Sequence, residues 1–266
     1  MSIETTFSEI QSRAAETVRA TRRDRFFLGM AIALLIIVLL GFARTFFFRA
    51  FFAVPSIPAF DYVHALVQTS WFALLVAQAS LVAAHRVDVH RRLGIAGAIV
   101  AILVAALSLA AVLSYPAHLA AGRVTTEGPA PNLAGFSRVV WTDLASIALF
   151  AAFVGIALVL RRRPEAHRRL MLLGSMAIIS PAAIRMASLM TRILPGATHS
   201  VFDTSPALYL PLIFGLPLLL VLHDIWTRRR LHPATLVGVL AFFVAQLGAS
   251  AVSFSAVGRA LIKVLE

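Results

Sequence analysis

The 266-residue chain has no cysteine, which excludes disulfide scaffolds, thiolate metal sites and cysteine nucleophiles. Charge is scarce too: 14% of residues are Asp, Glu, Lys or Arg, against about 25% in an ordinary soluble domain. Acidic residues are the rarer kind, 12 against 24 basic ones, leaving a formal charge of +12. Lysine occurs once, at Lys263 near the C-terminus, so a mid-membrane retinal Schiff base is excluded. No glycine-rich phosphate loop is present, and no aspartate-rich pair that could hold magnesium and pyrophosphate for prenyl transfer. Gly174-Ser175 alone does not make an intramembrane serine protease. His85-x4-His90 mimics one box of a di-metal oxygenase, but the doubled-histidine boxes are missing.

Apolar length is what the chain does have. Sixty per cent of its residues are hydrophobic and its mean hydropathy is +0.88. A bilayer core about 30 Å thick is crossed by about 20 apolar residues in a helix. Seven segments qualify: Phe26–Ala43, Tyr62–Ala84, Leu93–Tyr115, Val139–Leu160, Leu170–Met190, Ala207–Trp226 and Ala234–Val257. The expected fold is all-α and polytopic, a lead helix followed by three antiparallel hairpins. Residues 1–25 precede the transmembrane domain at 26–258, and 259–266 form a short tail. The polar start is too long for a signal-peptide n-region, so the first span reads as an uncleaved anchor.

Arginine placement sets the orientation. Sixteen arginines lie before span one and in the turns after spans two, four and six, among them Arg86, Arg91, Arg92, Arg161–Arg163, Arg168, Arg169 and Arg228–Arg230. The other side holds six basic residues: Arg44, Arg49, Arg123, Arg192, Arg259 and Lys263. The N-terminus is therefore expected in the cytoplasm and the C-terminus outside. The positive charge then belongs beside anionic headgroups, and a nucleic-acid partner is not expected. The bilayer is the expected partner, together with other membrane subunits if the chain serves a larger complex.

Residues 2–24 space Ile3, Phe7, Ile10, Ala14 and Val18 on one face, which suits an interfacial helix as well as a mobile tail. Residues 46–60 carry six phenylalanines with Pro55 and Pro58, an aromatic outer belt or re-entrant lid. A histidine-plus-arginine turn recurs: His90-Arg91-Arg92-Leu93, His167-Arg168-Arg169-Leu170, and Arg228-Arg229-Arg230-Leu231-His232. Topology explains the arginines, but not the histidine each time.

Ionisable groups inside spans are costly and usually paired or functional. An outer group comprises Asp61, His64, Gln68, Asp143 and Arg185, with Arg138 and His118 nearby. Asp143 and Arg185 share a depth in the hairpin of spans four and five, which predicts an ion pair. That pair serves either packing or an outward-facing polar cavity. An inner group places His85, His90, His167, His223 and His232 at one membrane face, with Asp88, Glu165 and Asp224 as orienting carboxylates. His64, His85, His90, His167 and His223 are the candidate haem or metal ligands. Interfacial histidine, with an apolar body and a polar tip, is the plainer reading of each one. His64, Trp71, Gln78 and His85 recur every seven residues along one face of span two, a histidine near each surface as in transmembrane di-haem cytochromes. His85 is shallow for such a ligand.

These motifs resemble a group of bacterial multi-spanning membrane proteins without an established activity. The matching pieces are His64 with Trp71-x2-Leu74-Leu75-x2-Gln78, Val89-His90-Arg91-Arg92-Leu93-Gly94, Arg163-Pro164-x2-His167-Arg168-Arg169-Leu170-Met171-Leu172 and Arg230-Leu231-His232-Pro233-Ala234-Thr235. The histidine-plus-basic turn alone is similar to small membrane proteins implicated in haem–copper oxidase assembly. The resemblance implies a multi-pass protein of the bacterial inner membrane. Two functions stay in view: histidine-based haem, transition-metal or redox handling, and transport of a small molecule or ion through the outer polar group. An accessory subunit of a larger membrane complex is the third. Whether any reaction is catalysed is left open.

Overall fold

The computed structural model describes residues 25–52, 54, 56–120, 133–191 and 206–264. Among these residues the regular structure is entirely helical. Helix α1 covers Arg25–Gly41, followed by a π-helical turn (Ala43–Phe47) and a 3-10 turn (Arg49–Phe51). Then come α2 (Ala59–Ala83), α3 (Val87–Ala120), α4 (Leu133–Val159), α5 (Pro164–Ala177), α6 (Ser180–Thr191), α7 (Pro206–Arg228), α8 (Pro233–Phe254) and α9 (Ala256–Val264). Five of them, α2, α3, α4, α7 and α8, are long and apolar enough to cross a membrane. The pair α5 and α6 makes a sixth if taken as one broken span.

The expected spans and the helices part company in three places. Leu170–Met190 is two helices, bent by 56°. Pro181 explains the break: it has no N–H to give Ala177, and its ring displaces that carbonyl, so α5 ends at Ala177. Broken backbone is tolerated at membrane depth only inside protein or beside a polar cavity, and Ile178 and Ile179 are buried. Ala234–Val257 also divides, with Ser255 extended between α8 and α9, so residues after 258 continue a helix that the expected tail did not include. The first expected span is a helix, but Arg25–Gly41 reaches only about 26 Å at 1.5 Å per residue. The interfacial helix expected over residues 2–24 lies outside the described residues.

Helix α5 is the hub. Nine of its residues from Ala166 to Ala177 are buried, and it packs on α4, α7 and α8. With no water to drive apolar association inside lipid, close approach has to come from small side chains. A Cβ on Gly238 would stand 2.5 Å from Leu173 Cδ1, so glycine lets α8 lie against α5 without displacing that side chain. Likewise a Cβ on Gly41 would meet the Ala182 carbonyl oxygen at 2.3 Å, which brings the end of α1 onto the first turn of α6. Polar clamps pin these faces. Trp71 Nε1 donates to Ser175 Oγ (3.1 Å) between α2 and α5, and Gln246 Nε2 donates to Ser146 Oγ (2.9 Å) between α8 and α4. Large apolar residues point outward instead, Ile95, Ile102 and Val244 each at 69% exposure, as a lipid-facing surface requires.

Candidate functional site

The three arginine turns meet at one end of the bundle. His85 (φ 57°) and Arg229 (φ 59°) adopt the left-handed conformation, which turns α2 into α3 and α7 towards α8. Pro164 and Pro233 open α5 and α8 at the position where a missing N–H costs nothing. His232 caps α8, its Nδ1 accepting the Ala234 N–H at 3.1 Å.

At this arginine-rich end lies a charge network built on Arg169, which is 0% exposed and faces an equally buried Asp224. Arg169 Nη2 pairs with Asp224 Oδ1, while Nε donates to Asp224 Oδ2 (3.2 Å) and Thr235 Oγ1 (3.1 Å). Nη1 donates to Glu165 Oε2 (2.7 Å) and to the Glu165 carbonyl (2.9 Å). Thr235 Oγ1 and the His232 N–H also donate to Asp224 Oδ2. Arg228 donates to Glu165 Oε2 at 2.9 Å, and Arg168 binds Oε1 of the same carboxylate. Helix α1 closes the site with aromatic rings, Phe27 lying under Arg168 (4.4 Å) and Arg169 (5.6 Å). Two carboxylates and three guanidiniums thus join α5, α7 and α8. Burial and the Arg169 and Arg228 charges hold the His232 imidazole below its usual range.

The candidate ligands do not come together as one set. Among the described residues, no group of three His, Cys, Asp or Glu side chains could hold a metal ion. His85 is exposed on its turn, and His64 sits at the far end of α2, its ring 6.4 Å from Phe60. His90 and His167 do face each other, ring centroids 6.3 Å apart and nearly perpendicular. His167 Nδ1 donates to the Ala157 carbonyl (2.8 Å), which leaves Nε2 bare. With the Gln78 amide turned so that both its ends meet complementary groups, its nitrogen donates to His90 Nδ1 (2.6 Å) and its oxygen accepts the Gly94 N–H, an assignment that puts the His90 proton on Nε2. The pair therefore offers one donor and one acceptor, complementary to each other rather than two lone pairs for a metal. His223 is buried at 8% exposure and stacks on Phe26 at 3.9 Å. Neither of its ring nitrogens has a hydrogen-bond partner.

The outer group does converge. Arg185 lies on α6 one turn past the break, its guanidinium 4.8 Å over the Phe42 ring and Nη1 donating to the Pro181 carbonyl (3.1 Å). Its charge reaches both Asp143 on α4 and His64 on α2, and His64 also feels Asp61. Gln68 Nε2 donates to Ser108 Oγ (2.9 Å), but its Oε1 is buried without a partner. Thr45 Oγ1, His64 Nδ1 and Ser188 Oγ share that condition. Each lies within about one turn of a residue in the Arg185 neighbourhood, Ser188 beyond Arg185, Thr45 beyond Phe42 and Gln68 beyond His64. The side chain of His118 lies outside the described residues.

Sequence reasoning missed the Arg169 network. Its arginines read as topological anchors, and Glu165 and Asp224 as partners for histidine. The one hint was Arg168-Arg169 itself, two cations about 100° apart on one helix, but the same spacing leaves Arg91 and Arg92 both exposed, so it singles out no buried arginine.

No protein-family model matches the chain, and no curated protein or solved structure matches it either.

Proposed function

We propose that this is a multi-pass bacterial inner-membrane carrier for a small polar solute, with the arginine-rich end cytoplasmic and seven crossings. Helix α1 and the broken pair α5–α6 supply the crossings beyond the five long helices. The shared turn motifs support its kinship with the bacterial multi-spanning group they resemble. One observation carries the carrier reading: buried polar atoms of Thr45, His64, Gln68 and Ser188 lack protein partners, and each residue lies within about one turn of Phe42, His64 or Arg185, beside a helix broken inside the bundle. Buried polar groups are satisfied in the great majority of cases, so a cluster of orphans marks a place where a polar guest or water belongs. Discontinuous helices near the midplane supply such sites in secondary transporters. Asp61, His64, Gln68, Asp143 and Arg185 form the solute site on this reading, and the Arg169 network closes the cytoplasmic end.

Thermal unfolding of the purified protein across small carboxylates, ammonium compounds and sugars tests the site. One solute class is expected to raise the midpoint, and Arg185→Gln to abolish that rise without unfolding the protein. Uptake of the same solute into proteoliposomes then tests movement. A panel without a stabilising solute, or a rise that survives both Arg185→Gln and Asp143→Asn, sinks the reading. The haem, metal or redox alternative rests on the facing of His90 and His167. A Soret band or a stoichiometric metal in protein from cells supplied with haem and copper would replace the carrier with it. Co-purification of a stoichiometric partner in mild detergent would favour the accessory subunit.

A further inference from the structure

Asp61, His64 and Gln68 stand at i, i+3 and i+7 of α2, so they share one face over about 10 Å of helix. His64 hydrogen-bonds the Leu107 carbonyl on α3, and since Nδ1 has no partner the bonding nitrogen is Nε2. A carbonyl only accepts, which puts a ring proton on Nε2 and leaves Nδ1 as the lone-pair end of the neutral ring. One turn deeper, Gln68 gives its N–H to Ser108 Oγ and keeps a buried, unmet Oε1. One turn nearer the start of α2, Asp61 brings a carboxylate whose charge acts on His64. The face thus carries acceptors at three successive levels. Thr45 on the π-helical turn and Ser188 on α6 add unmet hydroxyls, which can give or accept.

We propose that the solute is a primary amine in its ammonium form, an inference that rests on reading this region as the solute site of a carrier. An alkylammonium has three N–H donors and no lone pair, the complement of Asp61, His64 Nδ1 and Gln68 Oε1. A carboxylate finds no such set of partners. Arg185 already lies over Phe42, gives Nη1 to the Pro181 carbonyl and acts on Asp143, so an anion has to displace what it holds. Charge points the same way. The groups acting on one another around His64 are two carboxylates, Asp61 and Asp143, and one guanidinium, Arg185. Arg44, beside Thr45, is drawn over the Phe52 ring at 5.3 Å. One added cation balances that set, and charge inside a membrane protein is paired in almost every case. The Phe60 ring, 6.4 Å from the His64 ring, also suits a cation better than an anion. A sugar would use the Thr45 and Ser188 hydroxyls but leave the excess carboxylate unbalanced.

Thermal unfolding and calorimetric titration of the solubilised full-length protein test this at about pH 8, where an ordinary histidine is neutral. The probe is n-propylammonium. Tetramethylammonium carries the charge without an N–H, propionate the opposite charge, and glycerol only hydroxyls. Propylammonium is expected to raise the thermal midpoint and to bind at least about tenfold more tightly than the other three, because hydrogen bonds to a charged group are the strong ones. Gln68→Met keeps the bulk but loses the acceptor, and should weaken propylammonium about tenfold. Gln68→Glu offers one oxygen to Ser108 and one to the solute, and should tighten it about tenfold. Loss of binding in Gln68→Glu would mean that the unmet end of Gln68 is its N–H, which overturns the proposal. Where a Gln68 variant does not fold, His64→Leu should weaken propylammonium to the same degree. Tetramethylammonium bound as tightly as propylammonium, or propylammonium binding untouched by Gln68→Met or His64→Leu, also overturns it. A midpoint raised by propionate or glycerol alone, and no longer raised in Arg185→Gln, removes the amine and leaves the solute site standing. A midpoint that no solute raises removes both.

Discussion

Arg169 and Arg185 are both arginines within helices of one bundle, and their surroundings differ in kind. Around Arg169 the charges are paired: Asp224 takes four bonds, Glu165 takes three guanidiniums, and Thr235 both gives and accepts, while Arg228 Nε and both His223 ring nitrogens are buried without hydrogen-bond partners. Around Arg185 there is an aromatic ring, a carbonyl of its own helix, the Asp143 carboxylate and the His64 imidazole in electrostatic reach, and several polar atoms without partners within about one turn of these groups. Paired buried charges cost much to separate, whereas polar atoms without partners have bonds left to give. The first arrangement suits a closure and the second a binding site.

The largest effect that can break this contrast is at Asp224. Asp224→Asn leaves Arg169 buried without its counter-charge, and a loss of about 3–5 kcal/mol in unfolding free energy is expected. The paired change Arg169→Met with Asp224→Leu removes both charges and should cost much less. If denaturant or thermal unfolding shows the double variant as damaged as the sum of the singles, the network is not coupled. Next in size is Gly41→Ala. Its methyl collides with the backbone oxygen of Ala182, which cannot rotate aside, so α1 must shift from α6 at about 1–3 kcal/mol. The same shift moves Phe42 off Arg185, and solute-induced stabilisation should fall along with the thermal midpoint.

The outer site should respond more gently in stability and more strongly in binding. Asp143→Asn and Arg185→Gln are each expected to cost less than Asp224→Asn, with the double variant milder than their sum by about 0.5–3 kcal/mol in a thermal double-mutant cycle. Strict additivity would mean that the two charges do not act on one another. A cost as large as that at Asp224 would mean that the outer group is a second structural lock.

How much of this was legible in the sequence follows from periodicity and from distance along the chain. Long apolar runs fix helix existence, so α2, α3, α4, α7 and α8 lie close to the segments expected for them. The division at Pro181 was hidden because its flanks are equally apolar, and length alone reads Leu170–Met190 as continuous. Asp143 and Arg185 were expected to pair because a hairpin preserves depth, and the Arg185 charge does reach Asp143. Arg169 and Asp224 are 55 residues apart on helices that pack only in three dimensions, and no spacing rule joins them. His90 and His167 came out as neighbours because they recur in the same turn motif, but their tautomers depend on Gln78 and Ala157, which no motif named.

The smallest effect is acid sensitivity at the turn that caps α8. His232 lies between α7 and α8, where burial and then the Arg169 and Arg228 charges disfavour its protonated form. Its Nδ1 also accepts the Ala234 N–H, which a protonated ring cannot do. The folded chain therefore holds this proton less tightly than the unfolded chain, whose histidine titrates near pH 6.5. When the unfolded state binds more protons, stability rises with pH. The contribution of His232 is thus fully present above about pH 6.5 and is lost as pH falls through that value towards the lower folded one. The thermal midpoint should decline on acidification, and His232→Asn, which can cap α8 but cannot titrate, should flatten that decline. His232→Ala should cost about 1 kcal/mol at neutral pH through loss of the cap. If His232→Asn leaves the acid slope unchanged, the sensitivity comes from other groups and the turn that caps α8 takes no part in it.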